Sequence, residues 1–281
     1  MQVAILGATG VLGRPVVGRL LERGHDVVAV VRDPAKLAAH PRLRAVGGDI
    51  LDTETLAAPI KGCDAVLHLA TVIPRTGTQS DWSANDRVRS EGTRNLLAAA
   101  RAHGRPRYIQ QSVAMLLVGP RDVVADEDAP LRPSARLESA RDMERAVLEC
   151  DLPWVILRGG AFYGRGSDRM EYLTRLARDG RLAVPGDGGD YISLVHVEDM
   201  ADAVVRAAES HLAAQVFNIV DDYPVTYREL YEFVASANAA APPMSNGPPL
   251  LPSFRVSNES ARRVLEWQPR FPDYRAGWTI D

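Results

Sequence analysis

Lysine and cysteine are scarce in this sequence of 281 residues. Lys36 and Lys61 are the only lysines, so arginine carries nearly all of the positive charge. Because arginine stays protonated near neutral pH, lysine-dependent acid–base or Schiff-base chemistry has only two candidate residues. Cys63 and Cys150 are far apart and match no spacing of a metal-binding or redox motif. They are therefore predicted to be buried, reduced thiols, and no metal site is expected.

Long apolar stretches and an excess of positive charge are also lacking. No apolar run approaches the ~20 residues that a membrane-spanning helix needs. The sequence starts in an apolar strand, without the charged segment that opens a signal peptide. A formal net charge of −3 argues against a surface for nucleic acids. These absences predict a cytoplasmic protein with no membrane or nucleic-acid partner.

What the sequence does contain is a regular alternation of short apolar runs with segments of helical periodicity. Short connections between such units are typical of a parallel sheet with helices on both faces. We therefore predict an α/β fold with a doubly wound parallel sheet and a small C-terminal substrate-binding lobe. The predicted dinucleotide-binding domain spans residues 1–160, with 191–221 returning to the sheet, and residues 161–190 and 222–281 form the lobe.

A glycine-rich segment, GATGVLG, connects the first strand to the first helix. Gly7 permits a tight turn, Gly10 lets a phosphate approach the backbone, and Gly13 lets the helix pack closely on the strand. The unpaired N–H groups that open the helix can then bind a pyrophosphate. The residues predicted to contact the dinucleotide here are Gly7, Ala8, Thr9, Gly10, Val11 and Leu12.

The end of the second strand carries the residues that distinguish NADP from NAD. An acidic residue there binds the ribose 2′-hydroxyl of NAD, whereas an arginine binds the 2′-phosphate of NADP. Arg32 comes first, Asp33 follows, and Lys36 lies one helical turn further on. Arg32 and Lys36 form a cationic pair suited to a phosphate. We therefore favour NADP as the cofactor, with NAD as the alternative.

Motifs along the whole chain resemble the short-chain dehydrogenase/reductase superfamily, in its extended or atypical, epimerase-like branch. They include GATGVLG, GGDILD, VLHLAT, EGTRNLLAAARAHG, LRGGAFYGRG and LVHVEDMADAV. The resemblance implies a Rossmann-like fold and an NAD(P) cofactor. It also implies that Asp49 approaches the adenine, that Ile50 packs on it, and that Ala70 and Thr71 reach the cofactor's sugar and phosphates.

The catalytic positions of the family depart from its pattern. Ser112 matches the family's serine or threonine, but the Tyr-x-x-x-Lys pair of the next helix is missing. With Ser139 and Glu144 as landmarks, Arg136 stands where the tyrosine belongs and Ala140 where the lysine belongs. The asparagine that usually precedes the EGT glycine by three residues is replaced by Arg89.

Reduction of a carbonyl needs a hydride and a proton, and the family's tyrosine supplies the proton. Arg136 cannot do so, but it can stabilise an oxyanion or bind a carboxylate or phosphate. Tyr163, Tyr191 and Glu138 are other candidate acids, and Tyr163 lies nearest the expected nicotinamide. The predicted catalytic residues are Ser112, Arg136 and Tyr163.

Three functions are compatible with these residues. The first is an NADP-preferring oxidoreductase or epimerase-like enzyme acting on a small carbonyl or hydroxyl substrate. The second is an isomerase, lyase or cyclase without net redox change, in which Arg136 and Arg89 bind an anionic substrate. The third is a non-enzymatic protein that senses or structurally retains NADP. By analogy with the family, the two long central helices are candidates for a homodimer interface.

Overall fold

A computed structural model describes residues 1–76 and 81–278 of the chain. In chain order its strands are β1 (Gln2–Leu6), β2 (Asp26–Val31), β3 (Leu43–Gly47), β4 (Ala65–His68), β5 (Arg107–Val113), β6 (Trp154–Gly159), β7 (Ala161–Tyr163), β8 (Ala183–Pro185), β9 (Tyr191–Ile192), β10 (Leu194–His196), β11 (Gln215–Ile219), β12 (Val225–Thr226) and β13 (Met244–Gly247). Its helices are α1 (Gly13–Glu22), α2 (Ala57–Ile60), α3 (Ser83–Arg87), α4 (Thr93–Ala102), α5 (Glu138–Leu148), α6 (Asp168–Arg178), α7 (Val197–Glu209), α8 (Tyr227–Ala237), α9 (Glu259–Val264) and α10 (Tyr274–Gly277).

Seven parallel strands form the central sheet in the order β3-β2-β1-β4-β5-β6-β11. The inner strands are apolar on both faces because helices cover both. One core layer lies under α1 and α7 and the other under α4 and α5. The predicted doubly wound fold is confirmed. The strand order reverses between β1 and β4, and ligands of such sheets bind in the crevice at the carboxyl ends of the strands on either side of that reversal.

A second hydrophobic core lies in the C-terminal part of the chain, where α6 packs on α8. The short pairs β8–β13 and β9–β12 frame this core. Of the segment predicted to return to the sheet, α7 and β11 do so, whereas β9 pairs with β12. Trp267, assigned by the sequence to the lobe, is buried in the sheet core, and its indole Nε1 donates to the backbone oxygen of Asp199 at 3.1 Å. The exact division into domains remains a prediction.

Cys63 and Cys150 are buried as free thiols on one side of the sheet, as predicted. Burial raises the pKa of the Cys63 thiol to about 11, which leaves it protonated and unreactive near neutral pH. Across residues 1–76 and 81–278, no helix has both the length and the apolar character needed to cross a membrane.

Candidate dinucleotide and substrate site

The glycine turn after β1 leaves no room for side chains. Gly7 has a φ of +94°, and a Cβ atom there would lie 2.6 Å from the backbone nitrogen of Ala70. A Cβ on Gly13 would lie only 2.0 Å from the carbonyl oxygen of Gly7. The amide of Gly10 donates to that same oxygen at 3.0 Å, which closes the turn. The backbone thus forms a smooth cradle of the kind that a pyrophosphate requires.

The N-terminus of α1 opens directly into this cradle. Leu12 precedes the helix without a side-chain capping bond, and no acidic residue lies in the first turn. Within the first turn the amide of Arg14 donates to the carbonyl oxygen of Gly10 at 3.1 Å, and Pro15 has no N–H, so the positive end of the helix dipole is what favours an anion here. Val11 is 39% exposed at the rim. These features fit a dinucleotide, which Gly7, Ala8, Thr9, Gly10, Val11 and Leu12 would hold by its phosphates.

The end of β2 assigns different tasks to its charged residues. The Asp33 carboxylate accepts a hydrogen bond from the amide of Ala35 at 3.2 Å and so caps a short 3-10 turn, Pro34–Lys36. Arg32 and Lys36 are both exposed on either side of it. The acidic residue is engaged by the backbone, whereas the two cations are open to solvent and available to a phosphate.

The segment after β3 forms the other wall of the predicted adenine site. The Asp49 carboxylate accepts from the amide of Leu51 at 2.9 Å, and Ile50 is buried against Gly92. Across the crevice, Ala70 is half-buried and Thr71 is exposed. Gly7 and Ala70 meet directly, so the structure brings the glycine turn and the end of β4 together. The cofactor contacts themselves remain predictions.

Ser112 belongs to a buried ionic cluster. Its hydroxyl donates to Oε1 of Glu144 at 2.6 Å, and Nη2 of Arg158 donates to Oε2 of the same carboxylate at 2.9 Å. All three residues are buried. The Ser112 proton is thus held by a carboxylate, and this arrangement does not favour the predicted catalytic role. Arg158 was not singled out in the sequence, where it reads as one charge within the apolar run WVILRGG.

Tyr163 lies in the lobe core rather than in an open cleft. Its hydroxyl donates to the backbone oxygen of Asp273 at 3.1 Å, and its ring meets the His196 ring edge-on. Burial, together with the negative charge of Asp221 and other carboxylates, raises the pKa of Tyr163 well above its usual value. Its role as an acid stays a prediction that these contacts do not favour.

The two positions that the sequence predicts to match the family's tyrosine and lysine hold no general acid. Arg136 is exposed in the 3-10 turn Ala135–Leu137. It has no hydrogen bond or ion pair to any residue in 1–76 or 81–278, and Glu138 pairs with Arg141 instead. Ala140 is fully buried beside Val113 and Leu116. The structure does not join Ser112, Arg136 and Tyr163 by any contact among themselves.

A cluster of buried polar residues lies at the end of β4. Of its members, only Arg89 was named as a candidate from the sequence. His68 bonds through Nδ1 to Oε1 of Gln110 at 2.9 Å, and Arg89 is buried nearby on a π-helical turn, Val88–Gly92. Burial lowers the pKa of His68 to about 4, although the bond to Gln110 raises it, and the charge of Arg89 lowers it further. His68 is therefore neutral at physiological pH.

An open cleft of about 420 Å³ lies in the lobe, between residues 119–121 and 249–253. It includes part of the proline-rich segment, but none of the predicted cofactor or catalytic residues lines it. The residues that line this cleft are different from those predicted to line the crevice between β1 and β4.

Comparison with known proteins agrees with this geometry. Residues 7–211 match a family model described as NAD(P)H-binding. The chain is 33% identical, over 99% of both chains, to a 3-diazoavenalumate denitrifying reductase from a Streptomyces species. It is 28% identical to a UDP-glucose 4-epimerase of Mycolicibacterium smegmatis, covering 96% of this chain and 94% of that protein.

The fold is also that of a solved UDP-glucose 4-epimerase from Thermus thermophilus, a structure that contains NAD. The TM-score is 0.83 at 24% sequence identity, and the match covers 99% of this chain and 96% of the other.

Proposed function

Since this chain belongs to the NAD(P)H-binding family of oxidoreductase- and epimerase-like enzymes, we propose that it is a reductase whose reaction needs no proton donor from the protein. Its motifs had predicted the extended short-chain dehydrogenase/reductase branch, and that prediction is confirmed. The predicted reading as an NAD(P)-dependent enzyme is confirmed as well. NADPH as the reductant and an aromatic diazo compound as the substrate are our proposals.

The observation that carries this proposal is the state of the candidate proton donors. The Ser112 hydroxyl donates a hydrogen bond to Glu144, and the Tyr163 hydroxyl donates one to the backbone oxygen of Asp273. An arginine side chain does not act as a general acid near neutral pH, and an alanine side chain has no acidic proton, so positions 136 and 140 supply no proton. A ketone reductase and a sugar epimerase both move a proton at the reacting oxygen. None of the three predicted catalytic residues is arranged to move that proton, which argues against both reactions at this site.

Reduction of an aromatic diazonium group makes a different demand. When bound, the reduced nicotinamide would supply a hydride. The reacting carbon gains that hydride and loses N2, so the substrate needs no proton and the charges balance. The residues of this chain would then only bind, orient and desolvate the reactants. The name of the Streptomyces relative, a denitrifying reductase of a diazo compound, supports this reaction class for a chain similar over its whole length.

NADP preference is part of the proposal and rests on Arg32. In an Arg32→Asp variant we expect the ratio of NADPH to NADH affinity to fall by roughly 10–100-fold, since a charge-assisted contact to the 2′-phosphate is replaced by repulsion. Titration of each reduced cofactor, followed by nicotinamide fluorescence, measures the ratio. Arg42→Asp, at an exposed arginine that pairs with Asp26 at the opposite end of β2, serves as the control. An unchanged ratio in Arg32→Asp would contradict the assignment.

The function is tested with an aryl diazonium carboxylate and two labelled forms of NADPH. Each form carries deuterium on a different face of the reactive nicotinamide carbon. We expect the arene product to carry deuterium from one of the two labelled forms and not from the other, as read by mass spectrometry. An enzyme-free mixture measures the uncatalysed reduction, which has no preference between faces.

The proposal would be contradicted if the enzyme consumed the diazonium compound no faster than the enzyme-free mixture and steadily reduced a ketone or aldehyde. In that case the proton donor of the carbonyl reaction would have to be sought outside the residues considered above.

A further inference from the structure

Two arginines of this protein are equally buried but differently compensated. Arg89 and Arg158 are each 4% exposed. Arg158 has the Glu144 carboxylate as its counter-ion, through nitrogens at 2.9–3.2 Å. Arg89 forms no hydrogen bond or ion pair with any residue that the structure describes. A buried guanidinium without a hydrogen-bonded carboxylate lowers the stability of the folded protein. This points to a ligand that supplies the missing acceptor.

A second buried side chain near Arg89 in the chain also has an unsatisfied hydrogen-bond donor. Within residues 1–76 and 81–278, neither Nη1 of Arg89 nor Nδ2 of Asn85 has an acceptor, although both atoms are buried and Asn85 is 0% exposed. Asn85 on α3 and Arg89 on the π-helical turn are four residues apart in one continuous helical run, so their side chains start about one turn apart. Burial also lowers the pKa of Arg89, and the negative charge of Asp86 only partly offsets that effect.

These donors lie at the predicted cofactor crevice. The Asn85 side-chain oxygen accepts from the amide of Val72, directly after Ala70 and Thr71. On the other side, the Asp86 carboxylate accepts from the Ser139 hydroxyl at 2.6 Å, which ties this helix to α5 next to Ala140. The charge of Arg89 also reaches His68 at the end of β4. A π-helical turn of the kind that carries Arg89 is frequent at functional sites.

We propose that Arg89 and Asn85 bind the carboxylate of the substrate, placing an aryl carboxylate at the end of β4 beside the cofactor crevice. The site offers one positive charge, and the neighbouring Asp86 carries a negative one. A monoanionic carboxylate matches that balance better than a phosphate or diphosphate does. Arg158 shows within the same chain that a flat carboxylate satisfies a buried guanidinium. The inference rests on the proposed function and names the anionic group of its substrate.

The test compares 4-hydroxycinnamate with its primary amide by titration calorimetry, in the presence and absence of NADP⁺. The wild type should bind the acid more tightly than the amide. In Arg89→Met we expect the affinity for the acid to fall by roughly 10–100-fold, and the affinity for the amide to stay unchanged. Arg87→Met makes the same substitution at an exposed arginine of the same helix and should change neither.

Asn85→Asp provides an independent variant, because it places a carboxylate beside Arg89 within the protein. We expect it to lose binding of the acid and to raise the melting temperature of the ligand-free protein by roughly 2–8 °C. Arg89→Met should raise that temperature as well, since it removes an uncompensated charge.

Two results would overturn the proposal: equal affinities of the wild type for acid and amide, or a loss of NADP⁺ affinity in Arg89→Met as large as the loss for the acid. The second would assign Arg89 to the cofactor. Arg89-dependent binding of the acid without turnover of any diazonium compound would uphold this inference and refute the proposed reaction. Diazonium turnover at the same rate in Arg89→Met as in the wild type would uphold the proposed reaction and refute this inference.

Discussion

Replacing Arg158 by methionine should lower the free energy of unfolding by about 3–5 kcal/mol, because it leaves the Glu144 carboxylate buried without its counter-ion. Glu144 is fully buried and Arg158 is nearly so. The Ser112 hydroxyl is the remaining donor to that carboxylate, and a single neutral hydrogen bond does not offset its desolvation. Urea denaturation followed by circular dichroism measures the loss.

The double variant Arg158→Met/Glu144→Met separates the missing charge from the lost side-chain volume. With both charges removed, we expect most of the stability to return, since apolar replacement of a buried ion pair is often neutral or stabilising. Arg121→Met, at the exposed pair with Asp187, is the control for loss of a surface ion pair and should change little. A double variant as unstable as Arg158→Met would show that the cost arises from packing.

Gly13→Ala should lower the affinity for NADPH by roughly 100-fold, about 2.7 kcal/mol. The added methyl group would stand 2.0 Å from the carbonyl oxygen of Gly7, and that oxygen belongs to the backbone of the turn itself. The first turn of α1 and the glycine turn must therefore move apart. Their amides would then no longer converge on one pyrophosphate. Calorimetric titration with NADPH measures the effect.

The same helix provides a matched control for this glycine. Gly18 has no atom within 4 Å of an added Cβ, so Gly18→Ala should leave the affinity for NADPH unchanged. It should raise the stability by about 1 kcal/mol through helix propensity. Equal NADPH affinities for Gly13→Ala and Gly18→Ala would show that the cradle does not hold the pyrophosphate.

Local patterns were sufficient for the sheet and for the glycine turn. The run QVAIL, the glycines at 7, 10 and 13, and the apolar positions of α1 lie next to one another in the chain. Their conformations follow from hydrogen bonding and sterics over short distances. The loop after β2 could likewise be read from RDPAK, where Asp33 caps the turn and leaves Arg32 exposed.

The lobe was less accessible to such reasoning. Its core joins residues from α6, α8 and the segment around Phe254, which are far apart in the chain and connected by irregular loops. The sequence also did not predict that Trp267 packs in the core of the sheet, because Trp267 there looks like any other aromatic residue. In the fold, its indole donates a hydrogen bond to a backbone oxygen of α7.

The sequence by itself determined the layered architecture, the position of the glycine turn, and the presence of Arg136 and Ala140 where the family's tyrosine and lysine are predicted. These depend on residue identity and on contacts between near neighbours. Only the tertiary structure decided that the Ser112 hydroxyl donates to Glu144, that the Tyr163 hydroxyl bonds to the C-terminal segment, and that Arg89 is buried without an ion pair to any described residue. Charge and acidity inside a protein depend on which distant groups share the same desolvated space, and folding brings those groups together.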